Sequence, residues 1–411
     1  MKLRAAWTVG LVLAVTVAFP RQEARADLVT DWNKTALEVT KAAKAGGNPA
    51  SRALAMMHVA MSDAVNTVQG RYTRYAASMP AEPKASAEAA ASSAARAVLM
   101  QLYPAQKAMI EEAFAASIKA IPDGAAKTEG VALGEKVAAA VRADRASDGT
   151  DEPDTYRPIT TPGVWIPTTM PPFEQYARAK PWVLKSADQF RPGPPPALSS
   201  AVYARDYNET KTLGGAKSTA RSPAQTQAVR FWTGDNFGDA RQAVARQLVE
   251  AKKLDLADSA RLFALLNMGI ANSYIADWDA KFTYNRWRPM TAIRNGDQDG
   301  NDATERDAGW TPLNANPMHP EYPSQAAIIA GVSVGILEAV FGANPSTPVV
   351  ATDVNDRKVQ RRYANIRELA DEINNVRVWG GIHFRTSLEV GYDMGRRIAV
   401  HMVENSLKPM N

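Results

Sequence analysis

The 411-residue chain contains no cysteine at all and only four histidines, His58, His319, His383 and His401. The first absence excludes disulfide scaffolds, thiolate zinc sites, iron–sulfur clusters and cysteine nucleophiles. The second makes a histidine-rich metal cage hard to build. Excess positive charge is small as well: the net charge is +5, and the first 26 residues alone contribute +3 through Lys2, Arg4, Arg21 and Arg25 against Glu23. Without a concentrated basic face, nucleic-acid binding is not expected. Long hydrophobic runs are missing too. The longest, residues 5–19, falls short of the roughly 20 residues that span a bilayer. A basic start, that apolar run and Ala24-Arg25-Ala26 follow the order of a secretory leader. Residues 1–26 are therefore expected to be a signal peptide, and the mature chain to be periplasmic or secreted and free of the membrane.

With 45% hydrophobic and 22% charged residues, the composition is that of a globular protein. Apolar residues recur at helical spacing through most of it. Trp32, Ala36 and Val39, then Ala53, Met57, Ala60, Ala64 and Val68, outline the first helices. Residues 85–120, broken at Pro104, and 127–144 continue the pattern. No convincing strand alternation is present, so the fold class is all-α, built from helical bundles. Residues 147–200 differ, holding 11 of the 26 prolines together with Trp165, Phe173, Trp182 and Phe190. Proline at that density excludes helix, while four large aromatics are foreign to a disordered linker. This segment is expected to be an ordered strap. It divides an N-terminal helical region, 27–146, from a helical bundle, 201–411, with helices over 197–213, 222–232, 240–253, 258–287, 324–341, 353–376 and 386–405.

Three segments of the last third hold the chemistry. Lys281 and Arg288 stand seven apart among aromatics, and on one helix both would project to the same side. Ser324 opens an apolar helix after His319-Pro320-Glu321-Tyr322-Pro323. A helix start favours a bound anion, although Ser324 would equally serve as a plain N-cap. Arg377, Gly380-Gly381 and His383 form the third. Together they offer a Lys, Arg residues, a hydroxyl at a helix start and one imidazole, a set suited to a tetrahedral oxyanion with a histidine ligand or nucleophile.

In that order, Lys281…Arg288-Pro289, Pro323-Ser324-Gln325-Ala326 and Arg377…His383 resemble the three-part signature of vanadium-dependent haloperoxidases and type 2 phosphatidic-acid-type acid phosphatases. Residues 52–58 and 63–66, and 288–310 leading into 319–323, look like bacterial haloperoxidase-type members. The resemblance implies that Lys281, Arg288 and Arg377 hold the oxygens of vanadate or phosphate, with Ser324 and the Gln325 N–H adding hydrogen bonds. His383 would be the vanadate ligand, or the nucleophile of a phosphatase. The implied activity is halide oxidation by hydrogen peroxide, bromide favoured. His319 stands where algal bromoperoxidases of the family carry a histidine; it would line the halide side as a third catalytic residue beside His383 and Lys281, or be a polar residue of a Pro-rich turn.

Two positions depart from the pattern. The acid/base histidine that ends the family's Pro-Ser-Gly-His is Ala326, with Gln325 in place of the glycine, and the expected Asp beyond His383 is Ser387. General acid–base help is worth about two to four powers of ten in rate. Its loss keeps two alternatives open: a phosphatase-like hydrolase working through a phosphohistidine, and an oxyanion-binding protein with reduced or lost turnover. Elsewhere, residues 297–302 lack the calcium-loop spacing and read as a solvated turn. His58 reads as structural. Arg286 and Arg385 are reserve anion contacts, or partners of Glu321 and Glu389.

Overall fold

A computed structural model describes residues 27–410 apart from 168–170, 234–235, 343–346 and 354; the leader-like segment lies outside the described residues. Five helices come first: α1 (Leu28–Ala42), α2 (Gly47–Gln69), α3 (Ala87–Leu102), α4 (Lys107–Lys119) and α5 (Ala125–Asp144). The strap follows, then α6 (Ala201–Gly214), α7 (Pro223–Phe231), α8 (Asn236–Lys252), the 29-residue α9 (Leu256–Tyr284) and α10 (Pro289–Arg294). Next come α11 (Gln325–Phe341), a hairpin of β1 (Val349–Thr352) and β2 (Gln360–Tyr363), α12 (Ile366–Trp379) and α13 (Arg385–Asn405). Among the described residues the regular secondary structure is helical apart from that hairpin.

Side-chain caps start several helices: Asp27 accepts from Val29, Ser86 from Ala89, Ser200 from Tyr203 and Asp255 from Asp258. The long α9 is buried on nearly every face, which is why its hydrophobicity is not confined to one stripe. It packs against α2 on one side and α11 on the other, and α11 in turn lies against α13. Glycine sets that last spacing. A Cβ at Gly395 would sit 2.1 Å from the Ile328 carbonyl oxygen, and one at Gly331 would sit 2.2 Å from that of Tyr392.

The strap is pinned rather than loose. Trp165 and Trp182 are buried, Arg145 stacks over the Trp182 ring at 4.4 Å, and the Trp182 N–H donates to Asn272 Oδ1 at 2.9 Å. Among its described residues one short 3₁₀ turn, Glu174–Arg178, interrupts an otherwise non-helical course. The hairpin corrects the expected helix start at residue 353. Residues 349–352 and 360–363 pair as antiparallel strands, Val349 opposite Tyr363, with Gln247 of α8 bonding both polar groups of Val350; helix resumes only at Ile366.

Candidate functional site

Helix α9 ends where Asn285 takes a left-handed conformation, φ 46°, and its N–H returns to the Lys281 carbonyl. The expectation of one helix carrying Lys281 and Arg288 is thus corrected. The strap pairs with residues 285–287 instead, through Trp165 N–H to Asn285 O and Trp287 N–H to Gly163 O. Arg288 then enters as the residue before α10. Both cations still meet at the same stretch of chain, 319–323, and both are fully buried. The Lys281 ammonium donates to the carbonyls of Pro320, Glu321 and Pro323 at 2.9, 3.0 and 2.5 Å. Arg288 donates to the carbonyls of His319, Ile382 and Pro320 at 2.7, 2.7 and 3.3 Å. Their N–H groups are therefore engaged by backbone. What the two lend the site in this arrangement is fixed positive charge.

The turn from α12 to α13 brings in the histidine. Gly381, φ 76°, lies so close to the end of α6 that a Cβ would be 2.4 Å from the Gly214 carbonyl oxygen. Two residues on, His383 is 3% exposed, with its Nδ1 2.8 Å from Glu321 Oε1. The Phe384 N–H donates to the same oxygen at 3.0 Å. Two donors converging on one carboxylate oxygen assign the Nδ1–H tautomer, which leaves Nε2 as the acceptor, 3.4 Å from Arg288 Nη1. Burial, then Arg288, Lys281 and Arg377, hold the His383 pKa well below the ordinary imidazole value. A neutral ring with a fixed Nδ1–H is the form that ligates a metal or attacks phosphorus.

Ser324 precedes α11 but makes no side-chain cap bond; its hydroxyl is buried and without a hydrogen-bond partner. The Gln325 amide nitrogen is likewise buried and makes none, while standing close enough to Asp277 to favour its ionised form. Asp277, one turn before Lys281, has both oxygens buried and its Oδ1 3.7 Å from the ammonium. Burial raises its pKa to about 7, against the pull of Lys281 and Arg288, and burial also lowers Lys281 to about 8. Arg377 donates to the Trp232 carbonyl at 3.1 Å; burial, then Arg241, lower it to about 9. His319 is edge-on to Trp278 with ring centroids 4.9 Å apart, and its Nδ1 lies 3.2 Å from Arg288.

Lys281, Arg288, Ser324, Gln325, His319, His383 and Arg377 thus converge. The reserve cations do not: Arg286 stacks on Tyr203 and donates to Pro196, and Arg385 pairs with Glu209 at 2.6 Å. Glu389 is exposed. The carboxylate that orients His383 is Glu321, 62 residues earlier in sequence, while Ser387 contributes its carbonyl to the Ser324 N–H. Asp277 and Glu321 are the two site residues whose roles the sequence did not reveal. The i,i+4 spacing to Lys281 was a legible signal for the first. His58 and the 297–302 loop are structural: His58 stacks on Phe263 and meets Asn33, and Asp299 holds the turn through Asn301 and Thr304.

Three cations face two carboxylates, one of them with its pKa near neutrality, around a hydroxyl and an amide that lack partners. An oxyanion supplies the missing charge and the missing acceptors, so the residues fit vanadate or phosphate. The arrangement is a candidate oxyanion site built around one oriented imidazole. Residues 261–411 match the second helical-bundle domain of vanadium chloroperoxidase. The vanadium chloroperoxidase of Curvularia inaequalis is 29% identical over 189 aligned residues, which take in 39% of this chain. The match spans only 31% of that relative's length. Among solved structures, a bacterial vanadium-dependent iodoperoxidase superposes with a TM-score of 0.79 at 23% identity, over 93% of this chain and 97% of the other. A holo-type bacterial vanadium-dependent chloroperoxidase gives 0.70 at 16% identity, over 90% and 92%. Over residues 261–411 the chain is similar in sequence to that helical-bundle domain, and it shares the fold of the vanadium-dependent haloperoxidases.

Proposed function

We propose that this protein is an exported haloperoxidase that binds vanadate through His383 Nε2 and oxidises halide, bromide by preference, with hydrogen peroxide. The observation that carries the reading is the Glu321–His383 pair, which keeps Nδ1 protonated and turns a neutral lone pair toward the buried cations. Bound vanadate would supply the Lewis-acidic centre that activates peroxide. Ser324 and Gln325 would give it hydrogen bonds, while Lys281, Arg288 and Arg377 would stabilise negative charge developing on oxygen. His319, against Trp278 and Arg288, would line the halide side. Export rests on the order of residues in the first 26 positions.

Ala326 favours a second reading, an oxyanion-binding protein with little turnover, since no proton-transfer group stands at that position and the ammonium of Lys281 is already saturated by carbonyls. A phosphatase needs that proton most, to expel a poor alkoxide leaving group. The readings separate in one assay: bromide oxidation by the mature chain at fixed peroxide, with and without orthovanadate, beside His383→Ala. Vanadate-dependent activity lost in the variant supports the haloperoxidase. Vanadate bound through His383 with no turnover supports the binding protein.

A further inference from the structure

A cavity of about 620 Å3 opens between α1, the start of α2, α8 and α9. Its α9 wall is made by Asn267, Ile270 and Tyr274. Continuing along the same helix, Asp277 and Lys281 belong to the oxyanion site. Successive steps of three, four, three and four residues keep all five on one stripe. At 1.5 Å rise per residue, Tyr274 is about 4.5 Å from Asp277 and about 10 Å from Lys281 along the axis. One face of one helix therefore runs from the cavity wall to the site.

The α8 wall makes a second connection. Arg241, 8% exposed, lines the cavity. Its charge is felt by Arg377 inside the site and by Tyr274 on the facing wall, and Tyr274 feels Asp277 as well. The mouth carries Lys41 and Lys44 in addition, against Asp239 alone. Cations thus extend from the mouth through Arg241 to Arg377. The crevice beside Glu321 differs in both size and sign: it has about 10 Å3 and is lined by Asp206 and Glu321 against Arg286. Small anions are excluded there by space and repelled by charge.

We propose that the cavity between α1, α8 and α9 is the entrance through which small inorganic anions, halide and tetrahedral oxyanions, reach the oxyanion site, with Arg241 as the residue that relays them to Arg377. The assignment rests on the oxyanion reading of the site. A charged route of this kind raises association rates by about ten- to a thousandfold, and the effect weakens with salt.

The test is stopped-flow binding of orthovanadate to the full chain, followed by intrinsic tryptophan fluorescence, in the unmodified protein, Arg241→Gln and Ser51→Phe. Ser51 lines the cavity and is half-buried, so the phenyl ring narrows the route without replacing a buried cation. Thermal melts check that both variants fold. In Ser51→Phe the association and dissociation rates should fall together by about tenfold, with Kd within threefold. Arg241→Gln should slow association by a similar factor and flatten its salt dependence. Association rates within twofold of the unmodified protein in both variants would overturn the route. So would a Ser51→Phe variant whose Kd weakens in step with an unchanged association rate, because the cavity would then be part of the binding site and not its approach. Absence of vanadate binding in the unmodified protein is a different failure: it removes the site reading, and the entrance with it.

Discussion

Glu321→Gln isolates the role given to the carboxylate behind His383. Glu321 Oε1 accepts both the His383 Nδ1–H at 2.8 Å and the Phe384 N–H at 3.0 Å. An amide placed there has two orientations. With its oxygen toward the donors, the NH2 group points at the remaining surroundings, where Lys281 and Arg288 make positive charge costly. With the NH2 toward them, it faces the Phe384 N–H and donates to Nδ1, so the ring proton shifts to Nε2 and the lone pair is lost. Removing such an orienting partner typically weakens metal affinity ten- to a hundredfold, or about 1.4–2.8 kcal/mol.

A second effect has the opposite sign. Deleting one negative charge near a bound anion returns up to about 3 kcal/mol at an effective dielectric constant near 20. Since the two are of similar size, vanadate affinity alone would decide nothing. Perrhenate separates them: a tetrahedral monoanion, as orthovanadate is near neutral pH, it feels the same field but forms no bond to Nε2. The vanadate-to-perrhenate affinity ratio should therefore fall by about 10–100-fold in Glu321→Gln, even if perrhenate itself binds more tightly. Isothermal titration with each anion on the same protein gives the ratio. A ratio within twofold of the unmodified value, in a variant of unchanged melting behaviour, would refute the orienting role of Glu321.

Sulfate affinity should also fall as pH rises, in two steps near 7 and 8, because Asp277 gains a negative charge at about 7 and Lys281 loses its positive one at about 8; titrations across pH 6–9 should show that Asp277→Asn abolishes the lower step. The same group bears on stability. Its folded pKa lies above the ordinary 3.8, so folding binds a proton between about 4 and 7, stability drops as pH rises through that window, and Asp277→Asn should melt higher at neutral pH. Ala326→His, which returns an acid/base group beside Gln325, should raise halide-oxidation turnover by about two powers of ten or more, read as kcat with KM for peroxide measured alongside. Gly395→Ala would place a methyl 2.1 Å from the Ile328 carbonyl oxygen at the α11–α13 crossing; urea denaturation should show a loss of about 1–3 kcal/mol.

What could be read from sequence divides along physical lines. Helices declared themselves through apolar spacing and caps, and the strap through its prolines and tryptophans. The hairpin did not, because Gln360-Arg361-Arg362-Tyr363 is a charged edge whose pairing depends on Val349–Thr352 and on Gln247 from α8. Lys281 and Arg288 do meet, but not for the geometric reason that their spacing suggested. Seven residues suggested two turns of one helix, whereas a left-handed Asn285 ends the helix and the strap reroutes the chain. Glu321 stood in plain view in a Pro-rich segment, yet nothing local ties it to a histidine 62 residues away. Such pairs are tertiary facts. The violations of local preference were the better guide: an ammonium with no exposed surface, a helix-start serine whose hydroxyl caps nothing, and a carboxylate with its pKa near 7 inside an otherwise apolar bundle. Each is unfavourable by itself; a bound oxyanion pairs the charge of the ammonium and accepts from the serine hydroxyl, and it favours the neutral form of the carboxylate beside it. Sequences keep such inconsistencies where function requires them. Ala326 runs the other way: it is locally comfortable in a buried helix start, yet it leaves that position without a proton-transfer group.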